Sequence, residues 1–251
     1  MIDYVAQFNA ENKENLKNIN EDSATSKLVD DMLKLYLKHR YGYHQKWMGR
    51  PIIQLQQDII SLQEAIMYVK PDLIIETGIA HGGGTVFLAS MLELLGDNPV
   101  KREVVAIDIE LRSHNRAALE EHPMWKRITV FEGSSIAPDI VSKVHEIAKQ
   151  HKIIMVVLDS LHTHEHVYEE LKAYAPLVTL GSYVVVFDTT IEFTADFVDI
   201  RGDRPWSKGN NPHTAAVQFL KENDHFICDR QYDQKSLSIT GALEGWLLRV
   251  K

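Results

Sequence analysis

Residues able to do chemistry cluster where short apolar runs stop. The first run, Leu73 to Ile75, gives way to Glu76-Thr77-Gly78-Ile79-Ala80-His81-Gly82-Gly83-Gly84-Thr85. Glycines there let the backbone turn tightly and approach a ligand closely. A helix opening near Thr85 offers free N–H groups to an anionic or carboxylate-bearing ligand. A dinucleotide fingerprint needs G-x-G-x-x-G. Counted from Gly78, the second glycine position holds Ala80, and an acid, Glu76, stands just ahead. The loop therefore fits NAD poorly and suits S-adenosylmethionine, whose amino-acid end is held by an acidic-glycine loop. Its candidate cofactor-binding residues are Glu76, Thr77, Gly78, Gly82, Gly83 and Thr85, with His81 a spacer beside the ligand. A tight turn with no ligand is the simpler alternative.

The second run ends at Asp108. Its two carboxylate oxygens suit a ribose diol, since charge-assisted bonds of that sort contribute about 1.5–3 kcal/mol. Capping of the next helix is the alternative, and the distance from the glycine loop favours ribose. After the third run, Gly133, Ser134 and Ser135 can flank an adenine, while Ser135 serves equally as a helix N-cap ahead of Pro138.

Asp159 and Asp188 end the fourth and fifth runs, so neighbouring strands deliver both to one edge. Two carboxylates there repel, and a hard cation such as Mg²⁺ resolves this with oxygen ligands. Otherwise one caps a helix and the other meets solvent. His162, three residues past Asp159, is placed to act as a general base, with an unperturbed pKa of about 6.5. Alternatively His162, His164 and His166 join the aspartates in a zinc or iron site. In the plainest case His164 and His166 are solvated residues on a first helical turn. His162 is the favoured functional histidine, the other two being structural.

These residues must be positioned by the elements that carry them. After a clear helix through Ile52, Leu55, Ile59, Leu62 and Ile66, stopped by Pro71, β-rich runs occur at Leu73–Thr77, Glu103–Ile109, Ile128–Glu132, Ile153–Asp159 and Tyr183–Asp188. Helical stretches lie between them at Thr85–Leu95, Ser113–Glu121, Ser135–Gln150 and His164–Ala175. Continuous apolar runs such as Ile153 to Leu158 are the mark of buried parallel strands. Strands alternating with helices of this length form right-handed βαβ units, and ligands bind beyond the carboxyl ends of such strands.

A helix near His213–Lys221 follows, then strands around His225–Cys228 and Gly245–Val250, expected as an antiparallel edge hairpin with no helix between them. Residues 9–27 read as a polar arm or frayed helices, Leu28–Leu37 as a helix by its apolar spacing, and His39–Arg50 as an aromatic-rich loop. Thr189–Pro212 breaks the rhythm, and its length and its Phe193, Phe197 and Trp206 point to a lid.

With 251 residues, 45% apolar and 25% charged, the chain has the profile of a soluble globular protein. Its net charge of −8 argues against nucleic acid as the partner, since phosphate binding needs clustered Lys and Arg. The one cysteine, Cys228, excludes an internal disulfide and a cysteine-built zinc site. No run approaches the roughly eighteen apolar residues of a membrane helix, and no signal peptide is visible. The expectation is a cytoplasmic protein with no membrane association.

Together the motifs resemble the cephalosporin hydroxylase/rhamnosyl O-methyltransferase family, a branch of the class I S-adenosylmethionine-dependent methyltransferases. The resemblance runs from about Tyr43 to the C-terminus. It rests on Trp47-Met48-Gly49-Arg50-Pro51, Pro71 through Gly78, Gly82-Gly83-Gly84-Thr85, Leu158-Asp159-Ser160, the Asp188 strand end and Gly245-Trp246-Leu247. It implies an α/β, Rossmann-like fold with a seven-stranded, mostly parallel sheet and an antiparallel edge hairpin. Residues 1–50 would form a helical extension and 51–251 the methyltransferase domain.

It also implies that Glu76, Gly78 and the loop hold the methionine portion, Asp108 the ribose, and that Asp159 lies at the cofactor as well as the metal. Similarity to the Mg²⁺-dependent O-methyltransferases makes Asp159 and Asp188 metal ligands and His162 the base. Where relatives tend to place an acid just before the second metal aspartate, this chain has Phe187. The metal is then held less strongly, or Thr189 completes its ligands. The implied activity is Mg²⁺-assisted methyl transfer to a hydroxyl of a sugar or natural product, in a homo-oligomer. An oxidative tailoring enzyme and a non-catalytic ligand-binding partner protein are the alternatives.

Overall fold

The computed structural model describes residues 3–97, 101–194 and 204–251. Two helices come first, α1 (Tyr4–Glu21) and α2 (Ser23–Lys38). The segment read as a polar arm or frayed helices is therefore helical, and the helical spacing from Leu28 to Leu37 falls within α2. Asp3 accepts the N–H groups of Val5 and Ala6, and Asp22 that of Ala24, which satisfies donors left free at each helix start. Neither helix buries a residue, and Tyr4, Phe8, Leu28 and Leu35 face outward.

The expected aromatic loop at 39–50 is instead a one-turn helix over Tyr41–His44 followed by a hairpin of β1 (Gln45–Trp47) and β2 (Arg50–Ile52). Met48 and Gly49 turn it with φ of 44° and 89°, the left-handed pair that a two-residue hairpin turn matched to strand twist requires. The domain boundary placed at residue 50 falls within this hairpin. Trp47 packs edge-on against Phe87, and its indole N–H donates to Ser90.

Helix α3 (Gln56–Val69) leads into the alternating part: β3 (Leu73–Thr77), α4 (Gly83–Leu95), β4 (Glu103–Asp108), α5 (Ser113–Glu120), β5 (Ile128–Glu132), α6 (Pro138–Ala148), β6 (Ile154–Leu158), α7 (His164–Tyr174) and β7 (Tyr183–Val186). Then come α8 (Ile191–Thr194), α9 (Pro212–Glu222), β8 (Phe226–Cys228), α10 (Gln231–Lys235) and β9 (Trp246–Arg249). The seven-stranded sheet has the order β5-β4-β3-β6-β7-β9-β8, with β9 antiparallel to both neighbours. The last two strands pair as expected, but α10 lies between them in the chain.

Successive strand residues feed opposite cores, as alternation across a strand demands. Ile74, Val104 and Met155 pack with Ile66, Phe87 and Leu92, while Ile75, Val105 and Val156 pack with Val144, Leu171 and Phe219. Helices therefore cover both faces, and the carboxyl ends of the strands are left as the open edge. Of the expected lid, residues 195–203, including Asp196, Phe197, Asp199, Arg201 and Asp203, lie outside the described residues. Among the described residues no helix is long and apolar enough to cross a membrane.

Candidate functional site

The register aligns the strand ends. Thr77 stands opposite both Ile107 and Leu158, and Leu158 opposite Val186. Hydrogen bonds continue past the strands: Gly78 N–H to Ile107, Asp159 N–H to Thr77 and Phe187 N–H to Leu158. This continuation puts Glu76, Asp159 and Asp188 at one edge, on three adjacent strands.

The glycine loop starts α4 two residues earlier than Thr85, at Gly83, so the free N–H groups belong to Gly83, Gly84 and Thr85. Glu76 is buried beneath them and accepts the Thr85 hydroxyl at 2.5 Å. Burial, opposed by that bond and reinforced by the charge of Asp108, raises its carboxyl to about 8. The Thr77 hydroxyl is buried without a partner. A buried acid with no ion pair to a described cationic side chain, lying under the N–H groups that open α4, fits an ammonium group. His81 stands exposed on the loop.

Asp108 neither caps α5 nor faces away: one oxygen accepts the N–H groups of Ile79 (2.8 Å) and Ala80 (3.0 Å), the other that of Glu110. Oδ2 is filled by its two N–H donors, so the lone pair left for a ribose hydroxyl is on Oδ1. Gly133 and Ser134 follow at the neighbouring strand end. Ser135 is not the N-cap of α6, which begins at Pro138 after Ala137 with no side-chain cap. Its hydroxyl donates instead to Glu170 at 2.5 Å, a fully buried acid that also accepts Ser160 at 2.6 Å.

Asp159, His162 and Asp188 each offer a ligand-capable atom, all within 4.8 Å of one another. His162 Nε2 lies 2.9 Å from Asp188 Oδ2, while its Nδ1 is buried with no partner. Burial, then the charges of Asp188, Glu76, Asp58 and Glu170, push Asp159 well above the ordinary carboxylate range. Burial would raise Asp188 too, but the charges of His162 and Arg204 and the His162 bond hold it below. Asp188 has φ of 55°, a left-handed conformation that Asp tolerates better than most residues and that turns its side chain off the strand line. Crowded carboxylates of this kind are the donor set that a hard cation relieves.

The three-histidine arrangement does not form. The His164 ring bonds Thr214 and Gln218, and that of His166 bonds Ser135. Thr189 is fully buried, and its hydroxyl donates to the Gly241 carbonyl at 3.3 Å.

Four residues at the site were given no role there by the sequence. Arg50 donates to the His81 carbonyl and to Asn115, and Asn115 donates to the Ala80 carbonyl, so the glycine loop is held from outside. Gln54 donates to Asp159 Oδ2 at 3.0 Å. Trp206 meets His162 edge-on with ring centres 4.7 Å apart. Arg50 lay within a quoted motif and Trp206 among the aromatic residues of the expected lid, whereas Asn115 and Gln54 gave no signal.

The Rhamnosyl O-methyltransferase/CmcI family matches residues 39–250. The rhamnosyl O-methyltransferase of Mycobacterium leprae (strain TN) is 28% identical over 230 residues, 88% of this chain and 92% of that one. The rhamnosyl O-methyltransferase of Mycobacterium bovis (strain BCG / Pasteur 1173P2) is 30% identical over 229 residues, 88% of this chain and 86% of that one. A solved structure of CmcI with Mg and SAM is similar in fold, at a TM-score of 0.56 and 16% identity over 83% of this chain and 78% of that one.

Proposed function

The chain belongs to the Rhamnosyl O-methyltransferase/CmcI family, and from that we propose that it transfers a methyl group from S-adenosylmethionine to a sugar hydroxyl, with Mg²⁺ as the assisting cation. The observation that carries the proposal is the adjacency of two subsites. The buried Glu76 and its glycine loop adjoin the Asp159, His162 and Asp188 cluster through the Asp159 N–H to Thr77 bond. When bound, S-adenosylmethionine supplies an electrophilic methyl group and the cation draws electron density from the acceptor oxygen.

The residues of the chain do the rest. Glu76 holds the ammonium end, with Thr77, Gly78, His81, Gly82, Gly83 and Thr85 around it. Asp108 accepts a ribose hydroxyl on Oδ1, and Gly133, Ser134 and the Ser135 backbone flank the base. Asp159 and Asp188 hold the cation. His162 offers Nε2 to the acceptor proton in the tautomer that carries its own proton on Nδ1, the nitrogen closed off from the site. Trp206 packs against the imidazole and limits its rotation. The chemistry is tested with S-adenosylmethionine, Mg²⁺ and a panel of rhamnose-bearing glycosides, read by mass spectrometry. A methylated sugar that disappears on chelation and returns with Mg²⁺ is expected; no methylated product from any sugar or natural-product acceptor contradicts the proposal.

Glu76 gives a pH signature. With its carboxyl raised to about 8, it holds a proton at neutral pH until a cationic ligand displaces it. The bound state then carries fewer protons than the free state, so affinity rises with pH up to about 8 and is flat beyond. Titrating S-adenosylhomocysteine from pH 6 to 9 checks this, and Glu76→Gln should bind weakly with no such slope. A wild-type profile without slope below pH 8 rejects the role given to Glu76.

The outward-facing Tyr4, Phe8, Leu28 and Leu35 of α1 and α2 support association with a second copy of the chain. Light scattering should then give a mass above 28.7 kDa, and a monomer would reject the association. A cytoplasmic setting is supported by the single, unpaired Cys228.

A further inference from the structure

The cation seat is short of oxygen donors. Phe187, in the position before Asp188, is buried in the core, and the Thr189 hydroxyl is turned to Gly241. Beside Asp159, however, stands a neutral amide, Gln54, whose Nε2 donates to Asp159 Oδ2 at 3.0 Å. We propose that Gln54 is a metal ligand, its side-chain carbonyl supplying the oxygen that a carboxylate in place of Phe187 would have given. The inference rests on the metal-assisted reading above.

Three features support it. First, Gln carbonyl oxygens are ordinary ligands of hard cations. Second, the terminal amide torsion is broad and roughly two-fold, so a half-turn exchanges Nε2 for Oε1 with little cost. Without a cation, the Asp159 carboxylate attracts the N–H group; with one, the cation attracts the carbonyl oxygen, and one side chain serves both states.

Third, the segment is anchored at both ends. At the β2 side, a Cβ on Gly83 would stand 2.1 Å from the Pro51 carbonyl oxygen, so hairpin and glycine loop are in direct backbone contact. At the α3 side, Asp58 is buried and accepts the Thr240 hydroxyl and the Gly241 N–H, the latter at 2.8 Å. Gly241 in turn accepts the hydroxyl of Thr189, the residue after Asp188. Gln54 and Asp188 thus hang from the same short loop. An amide in place of a carboxylate leaves the protein ligands with two negative charges instead of three, which makes the cation readily exchangeable.

Mn²⁺ is the probe, titrated into the chelated full-length protein and followed by loss of the free-ion EPR signal, with S-adenosylhomocysteine binding measured in parallel. Gln54→Ala should weaken Mn²⁺ at least tenfold, since even losing a partner that only orients a ligand costs on the order of 10–100-fold. Its S-adenosylhomocysteine affinity should stay unchanged. Gln54→Glu, with a charged oxygen donor, should bind Mn²⁺ at least as tightly as wild type. Mn²⁺ affinity of Gln54→Ala within twofold of wild type overturns the assignment and leaves the metal reading intact. Absence of Mn²⁺ binding by wild type overturns both. Should Gln54→Ala lose S-adenosylhomocysteine as well, Gln54→Glu decides: weaker Mn²⁺ binding than wild type overturns the assignment, and equal or tighter binding upholds it.

Discussion

Replacing His162 with Ala is expected to lower kcat by about 10²–10⁴-fold, the usual contribution of a positioned general base, while S-adenosylhomocysteine and Mn²⁺ affinities stay within about twofold. The reason is placement. His162 reaches the site through Nε2 alone, 2.9 Å from Asp188, while Nδ1 is sealed in the protein and Trp206 closes the ring's edge. The other two members of the cluster, Asp159 and Asp188, are assigned to the cation. Water filling the vacated space accepts a proton far less readily than imidazole. Single-turnover methyl transfer, with both ligands saturating, isolates the step. A loss of less than about threefold would remove His162 from proton transfer, and a loss of Mn²⁺ affinity would move it among the ligands.

Gly78→Ala should fail more broadly, losing cofactor and metal binding together. Gly78 has φ of +91°, and a Cβ there would stand 2.0 Å from the Asp159 carbonyl oxygen. The unfavourable backbone conformation alone costs on the order of 1–3 kcal/mol, and the overlap is with backbone that no rotamer change can clear. Relief requires β3 and β6 to part at their carboxyl ends, where the Asp159 N–H to Thr77 bond joins them. For a chain of this size each kcal/mol shifts Tm by about 2–4 °C, so the variant should melt more than about 4 °C lower. Wild-type melting with wild-type S-adenosylhomocysteine affinity would show that the loop yields without disturbing either subsite.

The parts of this arrangement that could be read from the chain are those in which burial writes itself into composition. Strands β3, β4, β6 and β7 lie under helices on both faces and therefore appear as near-continuous Ile, Val and Leu, with Glu76, Asp108, Asp159 and Asp188 standing out where the apolar runs end. Helix α1 left only a polar stretch, since it buries nothing and is held locally by Asp3, while the apolar spacing from Leu28 to Leu37 marked α2. The β1–β2 hairpin was hidden because Met, where Asn or Asp would signal a turn, occupies the first left-handed position at Met48. The short α10 was hidden by its five-residue length.

Site residues divide the same way. A carboxylate at a strand end declares itself, but the partners of Ser135 and Thr189 are set by segments far away in the chain. Ser135 looks like a cap until Glu170 is brought beneath it, 35 residues on. Gln54, 105 residues from Asp159, is an ordinary loop amide until the hairpin closes on the glycine loop. Long-range contacts of that kind have no local pattern to read.

Calorimetric titration of S-adenosylhomocysteine into the extensively chelated protein, with and without added Mg²⁺, tests the central claim most directly. Micromolar or tighter binding at one site per chain is predicted, with a separate Mg²⁺ response that Asp188→Ala removes. Absence of any binding heat at pH 9, above the value of about 8 to which burial raises Glu76, would contradict the assignment of this sheet edge to methyl transfer.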